Sequence, residues 1–414
     1  MLASAPRPPA VRGSCPGVAD PMATGDGWLI RLRLPRGEIT PSELSALADL
    51  ADATGVEALE VTGRANLQMR VPDPDRLVTL GDAFRSLGLA PADARGERAR
   101  AVLVPPLAGH DRFGPDDAAD VVAAVVTGVG DLLAAEPHLR LPARWCVVID
   151  LPATIPVPLR PATVVARPHR SATETPAPGS EAEGWTVEPG PNWPTASEPG
   201  GVRPPAVTTT RTGVASAVID LARLAAAAVE AAVEPVDTAR SGSEATSPLG
   251  DLSRIDRSRP ATGAAVVASP AVGVIAHPDP NRVNLLVRSF LGRLDPDQIR
   301  ALATVPAIAI RFTHRRGVAL IGIESDAITT VTRSLEAAGL STDPEDPRHR
   351  VSACRGAPGC DASEIDTVAV AHRVALLLGP TEMAHVSGCA KVCGEPDGVT
   401  RVVGAEGARR WVVT

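Results

Sequence analysis

The sequence predicts an α+β fold in which two related halves pack against a metal-binding part. Residues 28–89 alternate between strand-like and helix-like patterns, and residues 283–340 repeat the same order. After the second copy, residues 343–414 carry four cysteines on loops bent by glycine and proline. Because each copy is too small to bury both faces of its own sheet, we expect the copies to pack against each other and against the cysteine-bearing segment.

The first copy contains a predicted series of four elements. Residues 28–34 alternate apolar and basic side chains, which is typical of a strand with one buried face. Residues 42–53 have apolar side chains at helical spacing, residues 58–71 alternate again, and residues 76–87 return to the helical period. The predicted order is therefore strand, helix, strand, helix.

The second copy begins its first helix in the same way as the first copy. Thr40 and Asp295 are each followed by a proline at the first helical position, and by Glu or Gln three residues after the cap. Residues 61–64 also align with residues 312–315. These matches predict a molecule with pseudo-twofold symmetry.

The composition changes between the two copies. Residues 156–212 are dominated by Pro, Ala, Thr, Ser, Gly and Glu. Such a segment cannot bury enough apolar surface to offset the entropy of chain ordering, which predicts a flexible linker. Residues 215–233 are rich in alanine and predict one helix, and residues 237–262 are again polar.

The overall charge and the apolar stretches exclude two classes of function. The 414 residues carry a formal net charge of -7, so the chain has no net basic field that would attract nucleic acid. The longest apolar stretches, residues 121–126 and 224–229, are shorter than the roughly 20 residues of a membrane span. Residues 1–14 lack the continuous apolar core of a secretory signal. We therefore expect a cytoplasmic protein with no membrane segment.

Four of the six cysteines form two closely spaced pairs. Five residues separate Cys354 from Cys360, and three separate Cys389 from Cys393. Four thiolates on two bent loops can surround a four-iron four-sulfur (4Fe-4S) cluster or a zinc ion. The five-residue spacer favours the cluster, because zinc sites usually have about two to four residues inside each pair. Cys146 lies in an apolar run, which predicts a buried thiol.

Basic and amide side chains alternate with apolar ones along the two predicted strands of the first copy. Residues two apart share one face of a strand, so these polar side chains should form one surface. Arginine binds carboxylates through a planar fork that lysine lacks, and the surface would suit an anionic ligand. A solvated strand face is the alternative interpretation. The residues concerned are Arg31, Arg33, Arg64, Asn66, Gln68 and Arg70.

The cysteine spacing resembles that of the sirohaem-dependent nitrite and sulfite reductase superfamily. The segments Cys15-Pro16-Gly17, Thr24–Pro35 and Thr62–Arg70 are most similar to the precorrin-3B synthase branch of that superfamily. The resemblance implies two pseudo-symmetric ferredoxin-like repeats packed with an α/β iron-sulfur and tetrapyrrole domain. It divides the chain into a first half (15–91), the first part of the cofactor domain (92–155), a low-complexity linker with one helix (156–265), a second half (266–342) and the cluster-binding part of the cofactor domain (343–414).

The resemblance also implies an activity. Members of that branch are monooxygenases that use O2 to hydroxylate the tetrapyrrole precorrin-3A, with lactone formation, in aerobic cobalamin biosynthesis. No glycine-rich dinucleotide motif follows a predicted strand, so an NADH-linked reductase or a ferredoxin would supply electrons. Two alternatives stay open: a sirohaem-dependent nitrite or sulfite reductase, and a non-catalytic cluster-binding or tetrapyrrole-binding paralogue. Val392 and Ala101, which depart from the family pattern, motivate the paralogue.

By the same resemblance, individual residues take family roles. The four paired cysteines would hold a 4Fe-4S cluster, and Cys393 would face sirohaem or a mononuclear iron. Arg31, Arg64 and Arg100 would be catalytic. Arg144 stands where the family carries lysine, and Arg315 occupies the matching segment of the second copy. The substrate-binding set comprises Arg31, Arg33, Arg64, Asn66, Gln68, Arg70, Arg144 and Arg315. His314 and His385 are predicted to be structural.

Overall fold

The first half of the chain forms a sheet with two helices on one face. The computed structural model describes residues 16–113, 119–169, 184–194, 203–231, 272–363, 365–380, 382–389, 393, 399, 401–405 and 411–413. The elements of the first half are β1 (Met22–Thr24), β2 (Gly27–Leu32), β3 (Glu38–Ile39), α1 (Pro41–Thr54), β4 (Leu59–Val61), β5 (Leu67–Val71) and α2 (Arg76–Ser86).

A second segment forms a mixed five-stranded sheet covered by two long helices. The strands are ordered β10-β9-β8-β7-β6, and the helices α4 and α5 pack on each other and on one face of the sheet. The elements are α3 (Ala94–Ala99), β6 (Val102–Leu103), α4 (Ala119–Ala135), β7 (Val147–Ile149), β8 (Val164–His169), β9 (Gly184–Pro189), β10 (Val207–Thr209) and α5 (Val214–Ala231).

The second half repeats the order of the first half. Its elements are β11 (Gly273–Ala276), β12 (Arg282–Val287), β13 (Arg293–Leu294), α6 (Pro296–Ala303), β14 (Ala309–Phe312), β15 (Val318–Glu324) and α7 (Ile328–Ala337). The last segment contains β16 (Val351–Ala353), α8 (Thr367–Ala375), β17 (Ala384–Ser387), β18 (Arg401–Ala405) and β19 (Trp411–Val413), ordered β16-β17-β18-β19 in one sheet. The α+β class and the repeat are confirmed.

The two halves exchange one short strand each. β3 of the first half pairs with β14 of the second, and β13 of the second half pairs with β4 of the first. The sheets are therefore ordered β1-β2-β5-β4-β13 and β11-β12-β15-β14-β3, and the helices α1 and α6 pack against each other. Thr40 and Asp295 each form the predicted capping box. The predicted pseudo-twofold arrangement is thus confirmed, and the exchange makes each sheet depend on both halves.

Residues 58–71 form a hairpin, so the prediction of one strand there was wrong. β4 and β5 pair as antiparallel strands around a tight turn in which the Thr62 N–H donates to the Asn66 carbonyl at 2.8 Å. Ala65 takes a left-handed conformation in this turn, with φ of 55°. Arg316 does the same at the matching position of the second half, with φ of 59°. Apolar and polar side chains alternate with the same period on both strands of the hairpin, so the sequence pattern does not mark the turn between them.

The predicted linker over residues 156–212 is also corrected by the structure. β8, β9 and β10 all lie within it. The large apolar side chains of this segment are few, but they fall at inward-facing strand positions, where Trp185 and Val187 are fully buried against α5 and its neighbours. The predicted helix over residues 215–233 is confirmed as α5. Residues 237–262 lie outside the described residues.

Within the described part of the chain, one helical segment, residues 211–229, is long and apolar enough to cross a membrane by length and composition. The segment overlaps α5 over residues 214–229, and the apolar face of α5 packs into the core of the second sheet through Val214, Val218 and Leu221. α5 also contacts α4 and β9. A helix that packs on the core of a folded domain meets the same criteria, and one face of α5 packs in this way.

The two ferredoxin-like sheets differ in what covers their outer faces. The inner faces and all four helices share one core, which includes Ile30, Leu47 and Leu320. The outer face of the second sheet is closed by Leu107 and Ile155. The outer face of the first sheet instead borders an open cavity.

A basic cavity beside the cysteine loops

The main cavity lies between the outer face of the first sheet and the start of the cysteine-bearing segment. Its volume is about 420 Å³, which is within the usual range for small-molecule sites, about 300 to 1,000 Å³. Strands β2, β4, β5 and β13 supply one wall, and the end of β16 supplies the opposite wall. Its lining residues include Leu29, Arg31, Glu60, Gln68, Arg70, Leu291, Arg293, Arg316, Cys354, Arg355, Val368 and Cys393.

The charged lining of this cavity is predominantly basic. Among the residues that the structure describes, five arginines line it against one carboxylate, that of Glu60. Burial lowers the pKa of Arg316, and the charge of Glu60 only partly offsets this effect. A half-buried, net positive wall of this kind favours a ligand that carries several carboxylates. The arginines are Arg31, Arg70, Arg293, Arg316 and Arg355.

Glu60 organises part of this wall. Its carboxylate accepts hydrogen bonds from Gln68 Nε2 at 2.7 Å, Arg70 Nη1 at 3.0 Å and Arg355 Nη1 at 3.1 Å. Burial raises the pKa of Glu60, but Arg70, Gln68, Arg355 and Arg293 together outweigh burial and hold that pKa below its usual value. Glu60 is therefore a fixed anion that keeps two guanidinium groups in place.

Arg31 faces two cavities at once. Its Nη2 donates to Gln68 Oε1 at 2.9 Å, and it lines both the main cavity and a smaller one of about 20 Å³. The smaller cavity has room for about one water molecule. Its polar lining is again basic and consists of Arg31, Arg33, Arg64, Asn66 and Arg98. The hairpin divides the predicted polar surface between the two cavities. Arg64 and Asn66 lie in the turn and line the smaller cavity, whereas Gln68 and Arg70 lie on β5 and line the main cavity.

Arg33 and Arg100 have partners within the protein. Arg33 is buried, and its Nη1 pairs with Glu97 Oε2 at 2.9 Å. Glu97 also accepts from the main-chain N–H groups of Val18 and Ala19, each at 2.8 Å. Arg100 Nε donates to the Arg33 carbonyl at 3.0 Å, and Arg100 lines neither cavity. The structure therefore does not bring Arg100 to the site where a catalytic role was predicted.

Arg144 and Arg315 likewise line neither cavity. The side chain of Arg144 is exposed, although its main-chain carbonyl accepts from Asn192 Nδ2 at 3.1 Å. Arg315 is half-buried, and it is the next residue, Arg316, that lines the main cavity. Substrate binding by Arg144 and Arg315 stays a prediction that these positions do not favour.

The two cysteine-bearing loops begin at the same edge of a sheet. β16 and β17 are parallel, with Ala353 opposite Val386, so Cys354 and Cys389 follow neighbouring strands at the same end. The Gly388 N–H donates to Cys354 Sγ at 3.1 Å, a contact that stabilises a thiolate. Cys354 and Cys393 both line the main cavity. Soft sulfur donors grouped in this way fit an iron-sulfur cluster.

Among the residues that the structure describes, the four paired cysteines do not come together as a complete set of cluster ligands. Within that part of the chain, no three His, Cys, Asp or Glu side chains come together as a metal site. Cys360 lies on the loop after Cys354, and its carbonyl accepts from the Ser363 N–H at 2.9 Å. The predicted four-cysteine cluster site therefore stays a prediction. Val392, whose identity departs from the family pattern, lies outside the described residues.

His385 supports the cysteine segment without reaching the cavity wall. It is fully buried on β17, and its Nδ1 lies 2.9 Å from Ser352 Oγ on the neighbouring strand β16. Burial, together with the charge of Arg316, lowers the pKa of His385 to about 4. His385 is thus neutral near pH 7, which agrees with a structural role.

Sequence reasoning missed three charged residues of this cavity, Glu60, Arg293 and Arg355. It also missed Asp26, which pairs with Arg70 and Arg355. Arg355 directly follows the first paired cysteine, and Asp26 lies in the Thr24–Pro35 segment, so both stood next to recognised signals. Arg293 reaches the first sheet only through the strand exchange. Pattern analysis along the chain has no means of finding a residue that enters by exchange.

Comparisons with known proteins agree with this architecture. Residues 20–87 match the nitrite/sulfite reductase ferredoxin-like half domain. A curated protein from Sinorhizobium sp, named precorrin-3B synthase, is 28% identical over 394 residues, which are 93% of this chain and 79% of the relative. The solved structure of the Mycobacterium tuberculosis NirA protein superposes with a TM-score of 0.60 at 16% identity, covering 93% of this chain and 73% of that one. This last likeness shows the fold.

Proposed function

We propose that the chain is an oxidoreductase of the nitrite/sulfite reductase superfamily and that it acts as a precorrin-3B synthase. The reaction would hydroxylate precorrin-3A with O2 and form the lactone, as a step of cobalamin biosynthesis. The observation that carries this proposal is the 420 Å³ cavity, which is lined by five arginines and bordered by Cys354 and Cys393. The similarity to the Sinorhizobium protein along 93% of the chain supports it.

The cavity chemistry matches the proposed substrate. A precorrin carries acetate and propionate groups around its ring, so its pocket needs several forked cations and few fixed anions. Arg70 and Arg355 are held by carboxylates, whereas Arg31 donates to the neutral amide of Gln68. We expect Arg31 and Arg316, which both line the cavity, to bind substrate carboxylates. The apolar side chain of Leu29 would contact the ring.

The cysteines would hold the redox group. A 4Fe-4S cluster bound by Cys354, Cys360, Cys389 and Cys393 would supply single electrons at this wall of the cavity. The protein's contribution is to orient the substrate carboxylates with Arg31 and Arg316. We further propose a cytoplasmic location, and an NADH-linked reductase or a ferredoxin as the electron donor.

A second candidate function is sirohaem-dependent reduction of nitrite or sulfite. The small cavity favours it, because Arg31, Arg33, Arg64 and Arg98 surround a volume of only about 20 Å³. That space is too small for a ring, and its guanidinium groups would attract a small anion. The matching fold of the NirA protein permits either function.

The visible spectrum of protein purified without oxygen, combined with turnover assays, separates the candidates. We expect broad cluster absorption without tetrapyrrole bands, and O2-dependent conversion of precorrin-3A when a reductase is supplied. Sirohaem bands with nitrite or sulfite turnover would transfer the assignment to the second candidate. Cys389→Ser should abolish the cluster absorption, while Cys146→Ser, at a buried thiol in a separate core, should keep it. Iron-free protein from the unaltered chain would overturn both candidates.

A further inference from the structure

The loop between the first two paired cysteines rests on the turn between β1 and β2. The turn contains Thr24, Gly25 and Asp26, and the loop contains Arg355 and Gly359. Arg355 Nε donates to Asp26 Oδ2 at 2.7 Å, and Arg355 Nη2 contacts the same oxygen. Residues 329 positions apart in sequence are thereby joined beside Cys354.

The contact belongs to a closed ring of two arginines and two carboxylates. Arg355 pairs with Asp26 and with Glu60 at 3.1 Å, and Arg70 pairs with the same two carboxylates, each at 3.0 Å. Thr24 Oγ1 donates to Asp26 Oδ1 at 3.0 Å and so orients the carboxylate. All four charged side chains are one-quarter exposed or less, so solvent screens the ring only in part.

Two glycines allow this close approach. A Cβ at Gly25 would lie 2.7 Å from Asp361 Oδ1 and 3.2 Å from the Pro358 carbonyl oxygen. A Cβ at Gly359 would lie 2.5 Å from Asp26 Oδ2 and would also meet Arg355 Nε. The turn and the loop are therefore complementary in shape as well as in charge.

We propose that Arg355 and Asp26 are positioning residues for the cysteine loop: they dock it on the β1–β2 turn and balance the charge beside Cys354. This inference rests on the proposed function, because it assumes that Cys354 binds the cluster. Arg355 and Asp26 act through the loop, and neither is assigned to the chemical step.

The charge balance predicts shifts of opposite sign in the cluster's reduction potential. Reduction adds negative charge to the cluster, so a nearby positive charge favours it and a negative charge opposes it. Arg355→Gln leaves Asp26 with one fewer cation and should lower the potential. Asp26→Asn leaves Arg355 with one fewer anion and should raise it. The double variant restores the local balance and should return the potential toward that of the unaltered protein.

The experiment is a potentiometric titration of the cluster-bearing full chain, monitored by electron paramagnetic resonance. Arg355→Lys keeps the charge and should stay close to the unaltered potential, although its single point charge holds the loop less firmly. Arg300→Gln is the matched control, because Arg300 also pairs with two aspartates, Asp49 and Asp52, but on the outer helices α6 and α1. It should leave the potential unchanged.

Hydrogen exchange on the same proteins tests docking without relying on the cluster. Asp26→Asn should increase amide exchange in residues 354–363, and Arg300→Gln should not. Shifts of the same sign in Arg355→Gln and Asp26→Asn, or no shift in either, would overturn the charge balance. Unchanged exchange in Asp26→Asn would overturn docking. A chain that carries no cluster would instead overturn the proposed function, and the exchange result would still decide docking.

Discussion

Glu38 accepts a hydrogen bond from Arg311 Nε at 2.9 Å across the exchanged strands β3 and β14. The pseudo-twofold axis relates this pair to Arg293 and Glu60, which face each other on β13 and β4. Each carboxylate of one pair occupies the position of an arginine in the other pair: Glu38 corresponds to Arg293, and Glu60 corresponds to Arg311. The second sheet therefore buries its arginine, and the first sheet presents its carboxylate to the cavity. One repeated fold thus yields one closed face and one binding face.

Arg311 should be important for stability. It is buried, and its Nη1 also donates to the carbonyls of Pro106 and Ala108 at 3.2 and 3.0 Å. Arg311→Met leaves those acceptors unpaired, and we expect a loss of about 2–4 kcal/mol in the free energy of unfolding. Urea unfolding measures the loss. Arg300→Met, at an exposed pair, should change the midpoint little, and equal effects of the two substitutions would contradict this prediction.

The two capping boxes should contribute equally. Thr40 Oγ1 accepts from the Glu43 N–H at 3.2 Å, and Asp295 Oδ1 accepts from the Gln298 N–H at 2.8 Å. Thr40→Ala and Asp295→Ala should each cost about 1 kcal/mol of unfolding free energy, because each leaves a helix N–H unpaired. Thermal unfolding of both variants checks this. A cost confined to one half would show that the repeats are not energetically equivalent.

Arg316 should bind anionic ligands, and Arg144 should not. Arg316 lines the main cavity, whereas Arg144 is exposed and lines neither cavity. Arg316→Gln should weaken the binding of a uroporphyrin, a ring with eight carboxylates, about tenfold, since one charge-assisted contact is lost. Fluorescence titration gives the dissociation constants. Equal weakening by Arg144→Gln would point to a non-specific effect of charge.

Stability should decrease as the pH falls below about 6.5. Burial, with the charge of Arg311, lowers the pKa of His110 to about 4, and burial, with the charge of Arg288, lowers the pKa of His349 to about 4. The unfolded chain binds these protons near pH 6.5, so each histidine contributes stability above that pH and loses it as the pH falls toward 4. His349→Gln should flatten the pH dependence of the urea midpoint, and an unchanged slope would contradict the assignment.

Local sequence patterns were sufficient for most helices and for the repeat. The caps at Thr40 and Asp295 were predictable because each capping box depends on residues within one turn. The apolar positions of β2 were equally plain, and Ile30 and Leu32 are buried as expected. Alternation did not show the hairpin turn at Ala65, because both arms share one period. Composition misjudged the segment of β8 to β10, because a few well-placed apolar side chains suffice for a strand.

The sequence by itself determined the class of fold, its twofold repetition and the cysteine spacing that indicates a cluster, since all three depend on short-range spacing. Only the tertiary structure decided which arginines face the cavity. Arg33 and Arg31 alternate identically along the chain, but Arg33 meets Glu97, whereas Arg31 faces both cavities. The partner of a buried charge comes from a distant segment, as Asp26 does for Arg355, and its identity is set by packing rather than by local pattern.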